Sequence, residues 1–165
     1  MSRRVVVTGL GTVCPVGNTV TEAWQNIVAG KSGIGPIEAF DATLFSARIS
    51  GAVRNFDVEQ YISIKEARKM DPFIHYAIAA SQFAVDDTGL TVTAANAARV
   101  GVFIASGIGG FSSIEREHRA FLEGGPRKIS PFFIPGAIIN LASGQVSIRF
   151  GAKGPNSATA TACAA

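Results

Sequence analysis

The sequence predicts an α/β fold with a mostly parallel sheet, on three observations. Its strand-like runs are continuous apolar stretches rather than polar–apolar alternations, the pattern of strands covered on both faces. Those runs alternate with segments of helical periodicity, the order that leads to parallel pairing. Of the 165 residues, 47% are hydrophobic and only 16% charged, a balance that supports a packed core and excludes intrinsic disorder.

Each element has a local reason. Arg4–Thr8 reads as a buried β-branched strand, followed by a loop over Gly9–Asn18. Thr19 with Glu22 forms a capping box that opens a helix over Val20–Ala29, stopped by Gly30. Residues 31–47 read as irregular and Arg48–Val53 as a weak strand. Ser63 with Glu66 is a second capping box, opening a short helix. Asp71 before Pro72 is a cap with proline at the first helical position. The helix that follows carries Phe73, Ile74, Ala77, Ile78, Ala80 and Phe83 to Val85 around much of its circumference, so deep burial is expected before it stops at Gly89. Val100–Ala105 is an apolar strand leading into Ser106-Gly107-Ile108-Gly109-Gly110. A polar helix over Ser112–Glu123 comes next, then a loop over Gly124–Lys128 and an apolar segment, Pro131–Pro135. A helix over Gly136–Phe150, ended by Gly151, and a small-residue strand, Asn156–Ala162, complete the order.

Composition excludes several function classes. The net charge is +3, from 15 Lys and Arg against 12 Asp and Glu, too mild for the basic stripe of a nucleic-acid binder. Two cysteines support neither a disulfide scaffold nor a four-cysteine zinc site. No apolar stretch reaches the ~20 residues of a membrane span. The apolar start is broken by Thr8, Gly9 and Gly11 with no small-residue cleavage site after it. A cytoplasmic protein with reduced thiols, no membrane insertion and no nucleic-acid partner is the expectation.

The chemistry-bearing feature is Cys163, delivered at the end of a small-residue strand. In α/β sheets functional groups collect at that end. A helix after it would favour the thiolate through its N-terminal dipole. A buried structural cysteine is the alternative reading of the same residues. Gly9-Leu10-Gly11 after a strand is a weak dinucleotide-binding signal, because Cys14 stands where the third glycine belongs. Gly107–Gly110 is too short for a phosphate loop and reads as a tight turn requiring positive φ, with room for a ligand chain beside it. Lys65, Arg68 and Lys69 fall at i, i+3 and i+4 on one helix face. With Arg127 and Lys128 they form either an ordinary solvated face or a platform for an acidic partner. Phe132, Phe133 and Ile134 are core, subunit interface or acyl pocket. His75 reads as a satisfied core residue and His118 as exposed. Neither has a second ligand at metal spacing, so no metal is expected.

Taken together, Val5-Val6-Val7-Thr8-Gly9-Leu10-Gly11, Pro15-Val16-Gly17-Asn18, Gly107-Ile108-Gly109-Gly110, the stretch from Gly124 to Phe133, and Thr161-Ala162-Cys163 resemble the β-ketoacyl-acyl carrier protein synthases. Among these the elongating enzymes of bacterial type II fatty acid synthesis are the most similar. The resemblance runs from Arg4 to Ala165. It implies a thiolase fold of two similar α/β halves in an α-β-α-β-α sandwich, with residues 1–165 forming most of the N-terminal half. It implies a decarboxylative Claisen condensation in fatty acid elongation, with a homodimer, an acyl carrier protein as partner, and no metal or redox cofactor. The phosphopantetheine arm comes with the carrier.

By position, the resemblance makes Cys163 the nucleophile and its N–H one oxyanion-hole donor. Ile108 lines the acyl channel. Phe133 and Ile134 lie near the dimer interface, Phe133 lining the neighbouring subunit's channel. Lys65, Arg68, Lys69, Arg127 and Lys128 dock the carrier, and the small-residue strand before Cys163 pairs across the dimer axis. The family's two catalytic histidines and its lysine match nothing before residue 165. The apolar finish two residues after Cys163 therefore reads as a cut. A chain ending there is expected to hold the cysteine but not to catalyse decarboxylation, and to aggregate through its exposed interface. A non-catalytic docking or pairing fragment and a polyketide-type ketosynthase are the alternatives, separated by acyl labelling of Cys163 and by chain-length profiling.

Overall fold

The computed structural model describes residues 3–164; Met1, Ser2 and Ala165 lie outside the described residues. The fold is α/β and divides into two compact units, one of residues 1–57 with 80–89, the other of residues 58–79 with 90–165.

The first unit holds α1 (Val20–Val28), a two-residue antiparallel pair, β1 (Gly35–Pro36) with β2 (Ile49–Ser50), and the second half of α3 (Pro72–Thr88). The Thr19 hydroxyl caps α1 by accepting from the Glu22 N–H. The Glu22 carboxylate accepts from the Asn18 N–H at 2.8 Å, one residue before the position that a capping box predicts. At the other end Gly30, at φ +68°, donates to Ile27 O while Lys31 donates to Asn26 O. That pair of bonds is a Schellman stop.

Arg4–Thr8 is not a strand. Val5 is 94% exposed, and no described residue pairs with this run. A β-branched run states a demand for burial, but a strand exists only where a neighbour supplies the hydrogen bonds. The glycine pair after it is explained by close approach. A Cβ on Gly11 would lie 1.9 Å from Ala80 O on α3.

The second unit holds α2 (Ile64–Ala67), the first half of α3, a parallel pair, β3 (Val102–Phe103) with β4 (Asn156–Ser157), and α4 (Phe111–Gly124), α5 (Phe133–Ala137) and α6 (Leu141–Phe150). The expected mostly parallel sheet is thus one parallel and one antiparallel pair among the described residues. Both long strand expectations contract to two residues, because pairing stops where the partner chain diverges. The segment read as irregular contributes β1. The single helix expected over Gly136–Phe150 is two helices. Ile138 is extended (φ −73°, ψ 141°) and interrupts the helical bonding before α6 restarts.

The core of this unit is Ile62, Ala67, Ile74, Ile78, Val102 and Val146. Of the apolar residues on α3, Ile74, Ile78 and Ala79 are fully buried while Phe73 and Ala77 are half-buried. Ile74 is 0% exposed, so Ile74→Ala should destabilise the unit by about 2–5 kcal/mol through lost burial and an unfilled cavity. Urea unfolding of the two chains checks this. A cost under about 1 kcal/mol would mean the core is not closed around Ile74. Among the described residues no helix is long and apolar enough to cross a membrane.

Candidate active site

β3 and β4 run parallel in the register Val102↔Asn156 and Phe103↔Ser157, so both chains leave the sheet at the same end. β4 is anchored from its first residue. Asn156 Oδ1 accepts from Ser143 Oγ at 2.9 Å, while its Nδ2 donates to Ser143 O at 2.9 Å and Ser147 Oγ at 2.7 Å on α6. Beyond β3 lies the Gly107–Gly110 loop; beyond β4 lies Cys163. The two meet: a Cβ on Gly107 would sit 3.3 Å from Ala162 O.

Cys163 is exposed and stands in a 3-10 turn, Ala162–Ala164, rather than at the end of a long strand. The residue before it, Ala162, has φ +51°. An alanine in the left-handed region costs about 1–2 kcal/mol. A strained turn of this kind is how a nucleophile is held out from the backbone. The Cys163 N–H has no hydrogen-bond acceptor among the described residues. Thiol and free N–H in one residue are what acyl transfer needs: one attacks a carbonyl carbon, the other receives the oxygen charge.

The glycine loop is held from its far side. Ser106 Oγ accepts from Gly109 N at 3.0 Å, and Gly110 N donates to Ala137 O, the end of α5, at 2.8 Å. Gly109 adopts φ +82°, the positive φ expected of this turn. Ile108, on the loop, is 64% exposed. On α5, Phe133 is half-buried and Ile134 exposed. Phe133 lines a groove of about 410 Å³ with Ile114, Glu117, His118, Phe121 and Ile129.

Lys65 lies on α2, whose capping Ser63 hydroxyl accepts from Glu66 N at 3.4 Å. α2 stops at Ala67, so Arg68 is its C-cap and Lys69 lies beyond it. Of the three cations expected on one helix face, only Lys65 lies within the helix, because α2 ends a turn earlier than the i, i+3, i+4 spacing requires. Lys69 Nζ stands 5.0 Å from the centroid of the Phe132 ring. Arg127 and Lys128 are exposed on a 3-10 turn, Pro126–Lys128. None of these five cations is in an ion pair among the described residues. The structure thus brings Cys163 and the Ile108 loop together, and ties Lys69 to the segment carrying Phe133 and Ile134.

Sequence reasoning missed two buried carboxylates. Glu117 Oε2 accepts from Ser130 N at 2.8 Å, fixing the segment after the Arg127–Lys128 turn to α4. Asp71 Oδ2 accepts from Ser113 N at 2.9 Å. The carboxylate expected to cap α3 therefore bonds instead to a residue far along the chain. Beside it, burial first and the Asp71 charge second push the Tyr76 phenol above its ordinary value. A local cap motif carries no signal of either long-range use. His75 Nε2–H donates to Ala67 O at 3.0 Å, a satisfied histidine. His118 is exposed. Among the described residues no three His, Cys, Asp or Glu side chains gather closely enough to hold a metal ion.

Residues 2–165 match the family described as Beta-ketoacyl synthase, N-terminal domain. The chain is 57% identical over 161 residues to 3-oxoacyl-[acyl-carrier-protein] synthase 2 of Vibrio cholerae, covering 98% of this chain and 39% of that protein. It is 47% identical over 163 residues to the protein of the same name in Staphylococcus aureus strain COL, covering 99% and 39%. The chain thus spans about two-fifths of these relatives' length. Among solved structures, the ishigamide ketosynthase/chain length factor superposes with TM-score 0.78 at 26% identity, over 96% of this chain and 40% of that one. A chain of AntDE:AntF, a type II PKS acyl-carrier protein in complex with its ketosynthase bound to the hexaketide, gives 0.72 at 25% identity, over 93% and 40%. The α/β fold is thus the thiolase-like fold of the ketosynthases.

Proposed function

The chain belongs to the β-ketoacyl synthase family through its N-terminal domain, and from that premise we propose that it carries the nucleophile of a 3-oxoacyl-acyl-carrier-protein synthase that elongates fatty acids. The observation that carries the reading is the strained Ala162–Cys163 turn, with an exposed thiol and an unused N–H against a glycine loop. In the first half-reaction Cys163 Sγ attacks the carbonyl carbon of an acyl thioester borne by acyl carrier protein. The new C–S bond forms, the bond to the phosphopantetheine sulfur breaks, and the carrier leaves as its thiol. The Cys163 N–H stabilises the oxyanion on the way. In the second, malonyl-carrier protein loses carbon dioxide and its carbanion attacks the acyl carbon. A C–C bond forms and Cys163 departs as thiolate. His75 is engaged with Ala67 O and His118 is exposed, so neither is given a part in that decarboxylation.

Ile108, Phe133 and Ile134 line the acyl channel in this reading, with Phe133 serving the neighbouring subunit of a homodimer. Lys65, Arg68, Lys69, Arg127 and Lys128 receive the acidic carrier. No metal or redox cofactor takes part, and the protein works in the cytoplasm. Relatives of 47–57% identity named 3-oxoacyl-[acyl-carrier-protein] synthase 2 favour this reading over the polyketide one, for which the type II PKS ketosynthase stands at 25%.

The test follows acyl transfer to Cys163 by intact mass, from a carrier-borne acyl group and from the same acyl group on free pantetheine. Reversing Lys65, Arg68, Arg127 and Lys128 to glutamate should slow transfer from the carrier about ten- to hundredfold at low salt, and from pantetheine less than about twofold. Equal slowing of both donors would count against docking. No adduct from either donor would count against the enzyme.

A further inference from the structure

We propose that Asp71 is a positioning residue for the acyl channel: by holding the first turn of α4, its buried carboxylate sets where the Gly107–Gly110 loop stands against the Cys163 turn. The inference rests on Cys163 as the acyl acceptor. Helix α4 has Gly110 as its N-cap, which offers no side-chain cap. Its third residue, Ser113, presents the N–H that a capping side chain would ordinarily receive. Asp71 receives it instead, from 42 residues away, at 2.9 Å. The negative charge also sits where the helix dipole favours it.

Asp71 is 5% exposed, so no water substitutes easily for this bond. The same residue grips α5. Its N–H donates to Gly136 O at 3.2 Å, while Gly110 N donates to the next carbonyl, Ala137 O, at 2.8 Å. A Cβ on Gly110 would stand 3.0 Å from Asp71 Cβ. One side chain thus fixes the loop bearing Ile108 and one main chain fixes the helix bearing Phe133 and Ile134, and Gly107 of that loop backs onto Ala162 O. Asp71 itself enters neither half-reaction. Because it sets spacing, its loss bears on long acyl chains that fill the channel rather than on the short ones that reach only the thiol.

The experiment measures acylation of Cys163 by acetyl- and dodecanoyl-pantetheine in the unsubstituted chain, Asp71→Ala and Asp71→Asn. Asp71→Ala should lower the dodecanoyl rate about tenfold while the acetyl rate stays within about twofold. Asp71→Asn, which keeps an acceptor oxygen, should restore most of the loss. Ser113→Pro removes the N–H within the first helical turn, where proline is tolerated. It should reproduce the Asp71→Ala pattern with Asp71 intact, and it stands in should Asp71→Ala fail to fold. Equal losses for both donors, or an unchanged dodecanoyl-to-acetyl ratio in Asp71→Ala and Ser113→Pro, overturn the proposal. A chain that takes up neither acyl group overturns the reading of Cys163 and this inference with it.

Discussion

Cys163→Ala is expected to reduce acyl transfer to the chain by at least about a thousandfold, since the attacking atom itself is removed and nearby groups cannot replace it. Cys163→Ser should be nearly as severe, because a hydroxyl is a weak nucleophile at its ordinary pKa. The second cysteine supplies the control. Cys14 is half-buried and its thiol donates to Gly17 O at 3.5 Å, inside a turn closed by mutual Cys14–Gly17 backbone bonds. Cys14→Ser should leave acylation within about twofold, because its thiol is engaged locally and half-shielded from an incoming thioester. Intact mass after exposure to an acyl thioester reads all three variants. An adduct that survives in Cys163→Ala and disappears in Cys14→Ser would reverse the assignment.

What could be read in advance follows the range of the interaction. Helix limits depend on a few neighbouring residues, so Thr19, Ser63, Gly30 and Gly151 mark them in the sequence and again in the structure. Strands depend on partners far along the chain. The apolar runs around Val6, Val102 and Ala160 look alike as patterns, yet only two residues near each of the last two find a parallel neighbour. The site divides in the same way. A cysteine after small residues is visible as a residue type, and five cations are visible as charges. The left-handed Ala162 is invisible, because alanine is among the residues least suggestive of positive φ. So is Lys69 over Phe132, whose partners lie 63 positions apart in the sequence. The two buried carboxylates are equally invisible, since Asp71 shows a local cap motif and Glu117 a polar helix, while their actual partners are distant N–H groups.

Two glycines of the second unit should respond to substitution with opposite signs. Gly109 lies at φ +82°, which a β-branched residue reaches only at a cost of about 1–3 kcal/mol. A Cβ there would also come within 2.5 Å of Ala137 O, the carbonyl that accepts from Gly110 N at 2.8 Å. The clash is with main chain, so no rotamer relieves it and that hydrogen bond must open. Gly109→Val should therefore destabilise the unit by about 3 kcal/mol or more. It should also slow acylation of Cys163, because the displaced loop backs onto Ala162. Gly144, inside α6, meets only Leu141 Cδ1 at 3.7 Å, an ordinary contact. Gly144→Ala should stabilise by about 0.4–1 kcal/mol by restricting the unfolded chain. Urea unfolding of both variants, with acylation rates measured alongside, tests the pair. If Gly109→Val unfolds at the same urea concentration as the unsubstituted chain, the loop is not pinned to α5, and the constraint on the Cys163 turn would have to come from the β3–β4 pair alone.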